Sequence, residues 1–288
     1  MFKGKKIGLA LGGGGVRGLA HIGVLRVLEK YNIPVDFIAG TSIGAIVGAF
    51  YCASPNAKQL EKMAVSVPWK KLFDITLPTR GIVKGKIIDK FLKTHLGVTK
   101  FEELKIPLFV TATDIENNRE IIFNKGNIVK AIHASSAMPG VFVPINNKGR
   151  ILVDGGVIDP MPIGVLKDYA DIIIAVNVNS IEETKKPYIL EEADSAKDGK
   201  IPNIIHTLFR SFHIIDSERV ENILEKDRSW ADLVIVPCLK GIGGRDFAKV
   251  EQAVRGGEIA AHKALEKWKF LKHKRKKKKN VLEQLGFK

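Results

Sequence analysis

Cysteine and long apolar runs are both scarce in this sequence. It has two cysteines in 288 residues, too few for a disulfide framework or a cysteine-rich metal centre, so Cys52 and Cys238 are predicted to be small buried hydrophobic residues. The apolar run from Ile7 to Leu11 ends at Gly12, short of the roughly 7–15 residues of a secretory signal. No later run approaches the ~20 residues that span a bilayer. The sequence therefore predicts a soluble, cytoplasmic protein.

Acidic residues are outnumbered by basic ones, and part of the excess is concentrated near the C-terminus. The formal net charge is +15, and the run from Lys272 to Lys279 (K-H-K-R-K-K-K-K) contributes seven positive charges. Such a run attracts anionic phospholipid at ~1 kcal/mol per residue, attracts nucleic acid by the same charge, or only keeps a disordered tail in solution. We treat residues 272–288 as a basic tail that follows a single predicted domain over residues 1–271.

Hydrophobic patterning predicts alternating strands and helices. Two β-α units open the chain, which is typical of a parallel sheet with helices packed on it. Strands are predicted at 6–11, 35–39, 107–113, 120–124, 150–153, 171–178 and 233–237. Helices are predicted at 16–31, 56–67, 85–96, 127–138, 162–169, 201–228 and 250–272, and a further helix follows a turn at 40–44 and runs to 52. The predicted fold class is α/β, a three-layer sandwich with a mainly parallel central sheet. The polar segment 180–202 is interpreted as a mobile cover over the site or as an insertion.

The second β-α unit contains a serine between two glycines, in the order Gly40-Thr41-Ser42-Ile43-Gly44. A strand, a sharp G-x-S-x-G turn and a helix together form the nucleophile elbow of serine hydrolases. Because Gly40 and Gly44 lack a Cβ, they permit a sharp turn, and the positive end of the following helix favours negative charge near Ser42. A serine that only caps a helix fits these five residues equally well.

A serine nucleophile needs a base, and the histidines do not identify one. In Ser-His-Asp hydrolases of this kind the histidine follows the acid late in the chain. The candidates there are His206, His213, His262 and His273. None of them follows a predicted strand end. His21 and His133 lie in predicted helices, where a packed structural histidine is the commoner explanation.

The glycine loop near the N-terminus has two interpretations. Gly13, Gly15 and Gly18 match the G-x-G-x-x-G dinucleotide fingerprint, which also follows a strand and precedes a helix. That fold needs an acidic residue at the carboxyl end of the second strand, whereas Asp36 lies at its start and Ser42 follows its end. Dinucleotide binding is therefore the weaker interpretation.

Three motifs occur in order along the chain: Gly12-Gly13-Gly14-Gly15-Val16-Arg17-Gly18, Gly40-Thr41-Ser42-Ile43-Gly44 and Asp154-Gly155-Gly156. Together they resemble the patatin-like phospholipase family in its bacterial form. The runs G-L-A-H-I-G-V-L from Gly18, T-A-T-D from Thr111 and A-S-S-A-M-P-G from Ala134 extend the likeness, which covers residues 6–179. One such motif is a weak signal, but three in order are specific.

The resemblance implies a Ser-Asp dyad without histidine, in which Ser42 is the nucleophile and Asp154 accepts its proton. It assigns the oxyanion hole to the glycine loop, with Arg17 supporting the loop. The remaining positions that it implies are Gly13, Gly14 and Gly15 in the hole itself, and Gly18, Gly40, Gly44, Gly155 and Gly156 in the motifs. An aspartate with a pKa near ~3.9 is a weak base at neutral pH, so burial that raises the pKa of Asp154 is expected. This chemistry needs no metal and no cofactor.

The predicted function is that of a lipid acyl hydrolase, similar to phospholipase A or lysophospholipase, acting on fatty-acyl esters of phospholipids or lysophospholipids. An anionic membrane surface is the expected partner of the run from Lys272 to Lys279, which predicts a peripheral position on the inner face of the membrane. No specific nucleic-acid partner is expected, because the tail has no recognition motif or interleaved aromatic residues. Two alternatives remain, a carboxylesterase or thioesterase acting on soluble acyl esters, and a non-catalytic lipid-binding protein of the same fold.

Overall fold

The computed structural model describes residues 4–69, 86–179, 204–226, 230–244 and 246–284. The segment 180–202, interpreted above as a cover or an insertion, lies outside the described residues. The strands are β1 (Ile7–Leu11), β2 (Phe37–Thr41), β3 (Leu108–Asp114), β4 (Arg119–Phe123), β5 (Ile145–Asn147), β6 (Arg150–Asp154), β7 (Ile172–Val176) and β8 (Leu233–Ile235). The helices are α1 (Ala20–Lys30), α2 (Ile43–Ala53), α3 (Ala57–Ser66), α4 (Lys86–His95), α5 (Ile128–Ser135), α6 (Ile204–Lys226) and α7 (Val250–Gln284).

One mixed sheet contains all of these strands, in the order β5-β6-β3-β2-β1-β7-β8, with β4 paired to β3 off this path. Its central part, from β3 through β2, β1 and β7 to β8, is parallel. The strands β4, β5 and β6 join it through antiparallel pairs. The predicted α/β class with a parallel centre is therefore confirmed.

Both faces of the sheet are covered, which makes three layers. Alternate residues of β1 point to opposite faces. Leu9 belongs to the larger core, which also contains the buried faces of α1, α2 and the start of α7. Ala10 belongs to a second core on the other face, with Leu166 from a 3-10 turn and Val220 from α6. The sheet therefore has a hydrophobic core on each face. A binding or catalytic site is expected at its edges or at the ends of its strands.

Four local predictions need correction. The helix expected at 162–169 is only a short 3-10 turn, Gly164–Leu166, because Pro162 and Gly164 disfavour regular helix over its first residues. The strand β5 was not predicted, since three residues are too few for a clear period. Helix α7 continues to Gln284 instead of ending near Lys272, because lysine and arginine favour helix. Cys52 is buried as predicted, but Cys238 is exposed because the chain leaves the sheet just before it.

Two strands approach each other end to end along one edge of β3. The β3 residue Thr111 pairs with both β2 and β4, so those strands lie on opposite edges. Thr113 pairs with both β4 and β6, so β6 shares the edge that β2 occupies. The strand β2 ends at Thr41 opposite Thr111, and β6 ends at Asp154 opposite Ala112. Their carboxyl ends therefore meet at one point of the sheet.

Candidate active site

Ser42 occupies a strained turn between β2 and α2. Its backbone angles are φ 55° and ψ −122°, a conformation that a residue with a Cβ adopts only when its surroundings enforce it. The turn also requires Gly44, because a Cβ there would lie 2.1 Å from the carbonyl oxygen of Leu11. The strand, the turn and the helix are thus in the order expected for a nucleophile elbow.

The hydroxyl of Ser42 is paired with the carboxyl group of Asp154. Ser42 Oγ donates a hydrogen bond of 2.7 Å to Asp154 Oδ2. The other oxygen, Oδ1, accepts a hydrogen bond of 2.8 Å from the backbone N–H of Gly156. Asp154 is 7% exposed, so its carboxyl group is shielded from bulk water, whereas Ser42 is half-buried. The structure thus brings together the two residues proposed as nucleophile and base.

Burial makes Asp154 a stronger base than an exposed aspartate. Desolvation raises the pKa of Asp154 to about 6, against the opposing effect of the hydrogen bonds from Gly156 and Ser42. A carboxylate with this pKa is still ionised at neutral pH. General-base catalysis is most efficient when the pKa of the base lies near the operating pH, and the pKa of Asp154 is closer to neutral than that of an exposed aspartate. No imidazole is needed to bring a base into this range.

The glycine loop runs beside Ser42, but its N–H groups are not equivalent. The N–H of Gly13 donates to the carbonyl of Pro160 at 2.9 Å, so it is not available for an oxyanion in this conformation. Gly14 has φ 153° and Gly15 has φ 59°, and Gly15 lines the cleft next to Ser42. The oxyanion role of the glycine loop stays a prediction, and of its three candidates Gly13 has an N–H that is already engaged in this conformation.

Two side chains hold this loop in place. His21, fully buried in α1, donates from Nε2 to the carbonyl of Gly12 at 2.8 Å. Burial lowers the pKa of His21 to about 4 despite that contact, so the ring is neutral and structural. Arg17, 4% exposed, makes a hydrogen-bond contact with the ring of His213 on α6. The loop is thus anchored on one side to α1 and on the other to α6.

Ser42 opens into a mostly apolar cleft of about 640 Å³, part of which is open to solvent. Its apolar walls are formed by Val16, Leu19, Ile46, Trp69, Met138, Phe142 and Phe247. Apolar walls of this kind suit a flexible hydrocarbon group. Trp69 and Phe247 stack with an angle of 8° between their rings, although they are distant in sequence.

None of the described histidines lines this cleft. His133 pairs with Asp89 at 2.8 Å, and His262 contacts the hydroxyl of Tyr31 at 3.2 Å. The first contact fits the structural interpretation of His133, and the second engages His262, one of the candidate bases, with a residue that does not line the cleft. His206 and His273 have side chains outside the described part of the chain.

Sequence reasoning did not identify three residues near the dyad. Ser135 accepts a hydrogen bond of 2.8 Å from the N–H of Ser42. Ser136 lines the cleft, and its buried hydroxyl has no hydrogen-bond partner among the described residues. Both belong to the A-S-S-A-M-P-G run, whose presence was the available signal. Asp216 on α6 also lies close to Asp154, and its sequence context in a polar helix carried no such signal.

The sequence profile of the family described as "Patatin-like phospholipase" matches residues 9–167, more than half of the chain. Lysophospholipase NTE1 of the yeast Lodderomyces elongisporus is 31% identical over 282 residues, covering 91% of this chain and 19% of that protein. An uncharacterized NTE-family protein of Mycobacterium tuberculosis is 30% identical over 280 residues, covering 91% of this chain and 47% of that protein. The chain therefore spans less than half the length of these curated relatives.

Two solved structures are similar at low sequence identity. VipD from Legionella pneumophila superposes with a TM-score of 0.49 at 14% identity, covering 91% of this chain and 67% of that chain. The type III effector protein ExoU superposes with a TM-score of 0.49 at 12% identity, covering 92% and 53%. Because both TM-scores are below 0.5, the fold class is assigned from the strand order of this chain and not from these two structures. In the described ranges, no helix is both long and apolar enough to cross a membrane.

Proposed function

Because this chain belongs to the patatin-like phospholipase family, we propose that it is a serine lipid acyl hydrolase that uses Ser42 and Asp154 to cleave fatty-acyl esters of phospholipids or lysophospholipids. The observation that carries the proposal is the 2.7 Å hydrogen bond from Ser42 Oγ to a buried Asp154 carboxylate, at the mouth of an apolar cleft. A serine that only capped a helix would have no need of this partner.

The reaction begins when Ser42 Oγ attacks the acyl carbonyl carbon and its proton passes to Asp154 Oδ2. The tetrahedral intermediate collapses, the bond to the leaving alcohol breaks, and Asp154 returns the proton to that oxygen. Water then attacks the acyl-enzyme while Asp154 accepts a proton from it. The second intermediate releases the fatty acid, and the proton returns to Ser42. Both halves use one general base and one covalent intermediate.

The oxyanion is assigned to backbone donors around Ser42. Gly14 and Gly15 follow the engaged N–H of Gly13 and have the positive φ angles that turn successive amides toward one point. Ile43 begins α2, so its N–H has no partner within its own helix, and the residue lines the cleft. Removing one such donor typically costs ~10²–10³ in rate.

The cleft supports an acyl lipid as the substrate. Its apolar side chains would bury the hydrocarbon chain next to Ser42, and polar groups are few among the lining residues. The yeast relative is named a lysophospholipase, which agrees with a substrate carrying a long acyl chain. A soluble short-chain ester would leave most of this apolar surface in contact with water.

The basic run from Lys272 to Lys279 supports binding at an anionic membrane surface. These residues lie on the described backbone of α7, and they bring seven positive charges close together. At ~1 kcal/mol for each basic residue near an anionic leaflet, the run is sufficient for peripheral binding. A lipid substrate resides at such a surface, so binding through the basic run would place the cleft close to its substrate.

Labelling with a fluorophosphonate probe, followed by mass spectrometry, tests the proposal without a guess at the natural lipid. We expect one adduct on Ser42 in the wild type, none in Ser42→Ala, and slow labelling in Asp154→Asn. Asp168→Asn changes an exposed aspartate and serves as the matched control. Absence of an adduct on folded wild-type protein would contradict the hydrolase mechanism.

Substrate preference separates a lipid hydrolase from a general esterase. We expect release of fatty acid from a long-chain lysophospholipid to exceed hydrolysis of a soluble acetyl ester in kcat/KM. Equal or better turnover of the acetyl ester would favour the carboxylesterase alternative. Labelling without turnover of any ester would leave lipid binding as the function.

A further inference from the structure

A second carboxyl group lies behind the base of the dyad. A Cβ placed at Gly156 would lie 3.2 Å from Asp154 Oδ1 and 3.6 Å from each carboxyl oxygen of Asp216. The two carboxyl groups therefore flank the same glycine, with Ser42 on the other oxygen of Asp154. Asp216 lies on α6. The same helix contains His213, which contacts Arg17 of the glycine loop.

We propose that Asp216 is a positioning residue of this site, whose carboxyl group stays protonated beside Asp154 and, when it ionises, raises the proton affinity of the base. The inference rests on the proposed function of Ser42 and Asp154 and deepens it. Asp216 is half-buried, and ionisation of both neighbouring carboxyl groups is disfavoured, so the pair releases its protons in separate steps.

The hydrogen bonds decide which of the two carboxyl groups keeps the proton. The ionised form of Asp154 is stabilised by two donors, the N–H of Gly156 and the hydroxyl of Ser42. The charge that favours ionisation of Asp216 comes from Arg219 one turn later, and that guanidinium also donates to the carbonyl of Ile158 at 3.0 Å. The proton of the pair is therefore held by Asp216, and Asp154 is left ionised.

The titration behaviour of the pair agrees with this assignment. Burial first, and then the negative charge of Asp154, raise the pKa of Asp216 to about 8, against the lowering effect of Arg219. The pKa of Asp154 is about 6. Between these values Asp154 is a carboxylate beside a neutral acid, which is the form needed to accept the proton of Ser42.

Ionisation of Asp216 changes the strength of the base. Above its pKa, a negative charge lies beside Asp154 and disfavours the ionised form of that residue. Transfer of the proton from Ser42 neutralises Asp154 and moves negative charge away to the oxyanion, so the repulsion is relieved in the transition state. A stronger base accelerates this transfer, and the reaction of Ser42 is expected to become faster again in mildly alkaline solution.

The test measures the rate of Ser42 labelling by a fluorophosphonate probe as a function of pH in wild type, Asp216→Asn and Glu218→Gln. In the wild type we expect the rate to rise as Asp154 ionises, level off, and rise again by roughly threefold or more between about pH 7 and pH 9. In Asp216→Asn the ratio of the rates at these two pH values should fall to about 1. Glu218→Gln, an exposed change on the same helix, should keep the wild-type ratio.

Because the ratio compares two pH values in one protein, it does not depend on small changes in folding or in the basal rate. A wild-type labelling rate that stays constant or falls between about pH 7 and pH 9 would overturn the role of Asp216. A ratio of these two rates that is the same in Asp216→Asn as in the wild type would also overturn it. Circular dichroism of both variants excludes unfolding as the cause of a lost rise. Absence of Ser42 labelling in the wild type at any pH would instead contradict the proposed function itself.

Discussion

The hydroxyl of Ser42 lies 2.7 Å from the carboxylate of Asp154, although 112 residues separate the two in sequence. The sheet explains the distance, because β2 and β6 run toward each other along the same edge of β3 and end at neighbouring positions. Ser42 follows the last residue of β2, and Asp154 is the last residue of β6. The register of two strand pairs, and not a flexible loop, therefore sets the geometry of the dyad.

Substitution of Gly44 should disrupt the turn that carries Ser42. In Gly44→Ala the new Cβ would lie 2.1 Å from the carbonyl oxygen of Leu11, and rigid backbone cannot yield as a side chain does. We expect a loss of about 3 kcal/mol in the free energy of unfolding, measured in urea, together with slow labelling of Ser42.

Gly48→Ala, one turn later in α2, is the control for that substitution. Its Cβ would lie 3.1 Å from Ile38 Cγ2 and 3.2 Å from Leu108 Cδ1, which are ends of side chains that are able to shift. Replacing glycine in a helix also gains up to about 1 kcal/mol. Equal losses for the two variants would show that the close approach at Gly44 is not what the turn requires.

The two neighbouring serines at the C-terminal end of α5, Ser135 and Ser136, should differ in their effect on stability. Ser135→Ala leaves the N–H of Ser42 without its acceptor, which should cost about 1–3 kcal/mol of unfolding free energy. Ser136→Ala removes a buried hydroxyl that has no partner among the described residues, so stability should be unchanged or slightly higher. Thermal unfolding of the two variants measures the contrast, and a larger loss in Ser136→Ala would refute it.

Asp154→Asn should stabilise the fold while it removes the base. The folded pKa of about 6 lies above the ordinary value of 3.8, so the folded chain binds more protons than the unfolded chain between these values. Stability therefore falls as the pH rises through this window. The asparagine avoids that cost, with an expected gain of up to about 3 kcal/mol near pH 7.

The gain from Asp154→Asn should shrink as the pH falls from 7 and vanish near pH 3, below the pKa of the wild-type carboxyl in both states. Urea unfolding at the two pH values measures it, with Asp168→Asn as an exposed control. A pH-independent difference would show that the substitution acts through packing and not through the charge of Asp154.

His21 should make the free energy of unfolding depend on pH in the opposite direction. Its folded pKa of about 4 lies below the ordinary 6.5, so the unfolded chain binds more protons in this interval. Its contribution is fully present above about pH 6.5 and is lost as the pH falls toward about 4. His21→Gln should remove up to about 3 kcal/mol of this pH dependence, whereas His262→Gln, on α7, should leave it in place. Urea unfolding across the interval distinguishes the two.

Neutralising the basic run should separate membrane binding from ester hydrolysis. With the six lysines and the arginine between Lys272 and Lys279 changed to glutamine, we expect binding to phosphatidylserine vesicles to fall by more than tenfold, since each charge contributes ~1 kcal/mol. Hydrolysis of a soluble ester should not change. Sedimentation with vesicles measures the first effect, and retained binding would remove the membrane role of the run.

The sequence predicted the elements whose patterns are strong and local. The uniformly apolar run in β7 (Ile172–Val176) is buried throughout, and the glycines on either side of Ser42 predicted the sharp turn there. The pairing of Ser42 with Asp154 was predicted from family resemblance, because spacing alone does not specify the register of β2 and β6 against β3. The stacked pair of Trp69 and Phe247 and the position of Asp216 depend on such long-range packing, and no local pattern encodes them.

The end-to-end approach of β2 and β6 also has a consequence during biosynthesis. Ser42 leaves the ribosome before Asp154, 112 residues ahead of it, and a serine without its acid is an ordinary alcohol. The chemistry proposed for this chain therefore arises only when β3 has received both strands along the same edge. A nascent or truncated chain that lacks β6 has no Asp154 to pair with its serine, so the proposed activity is expected to appear only after the sheet has formed.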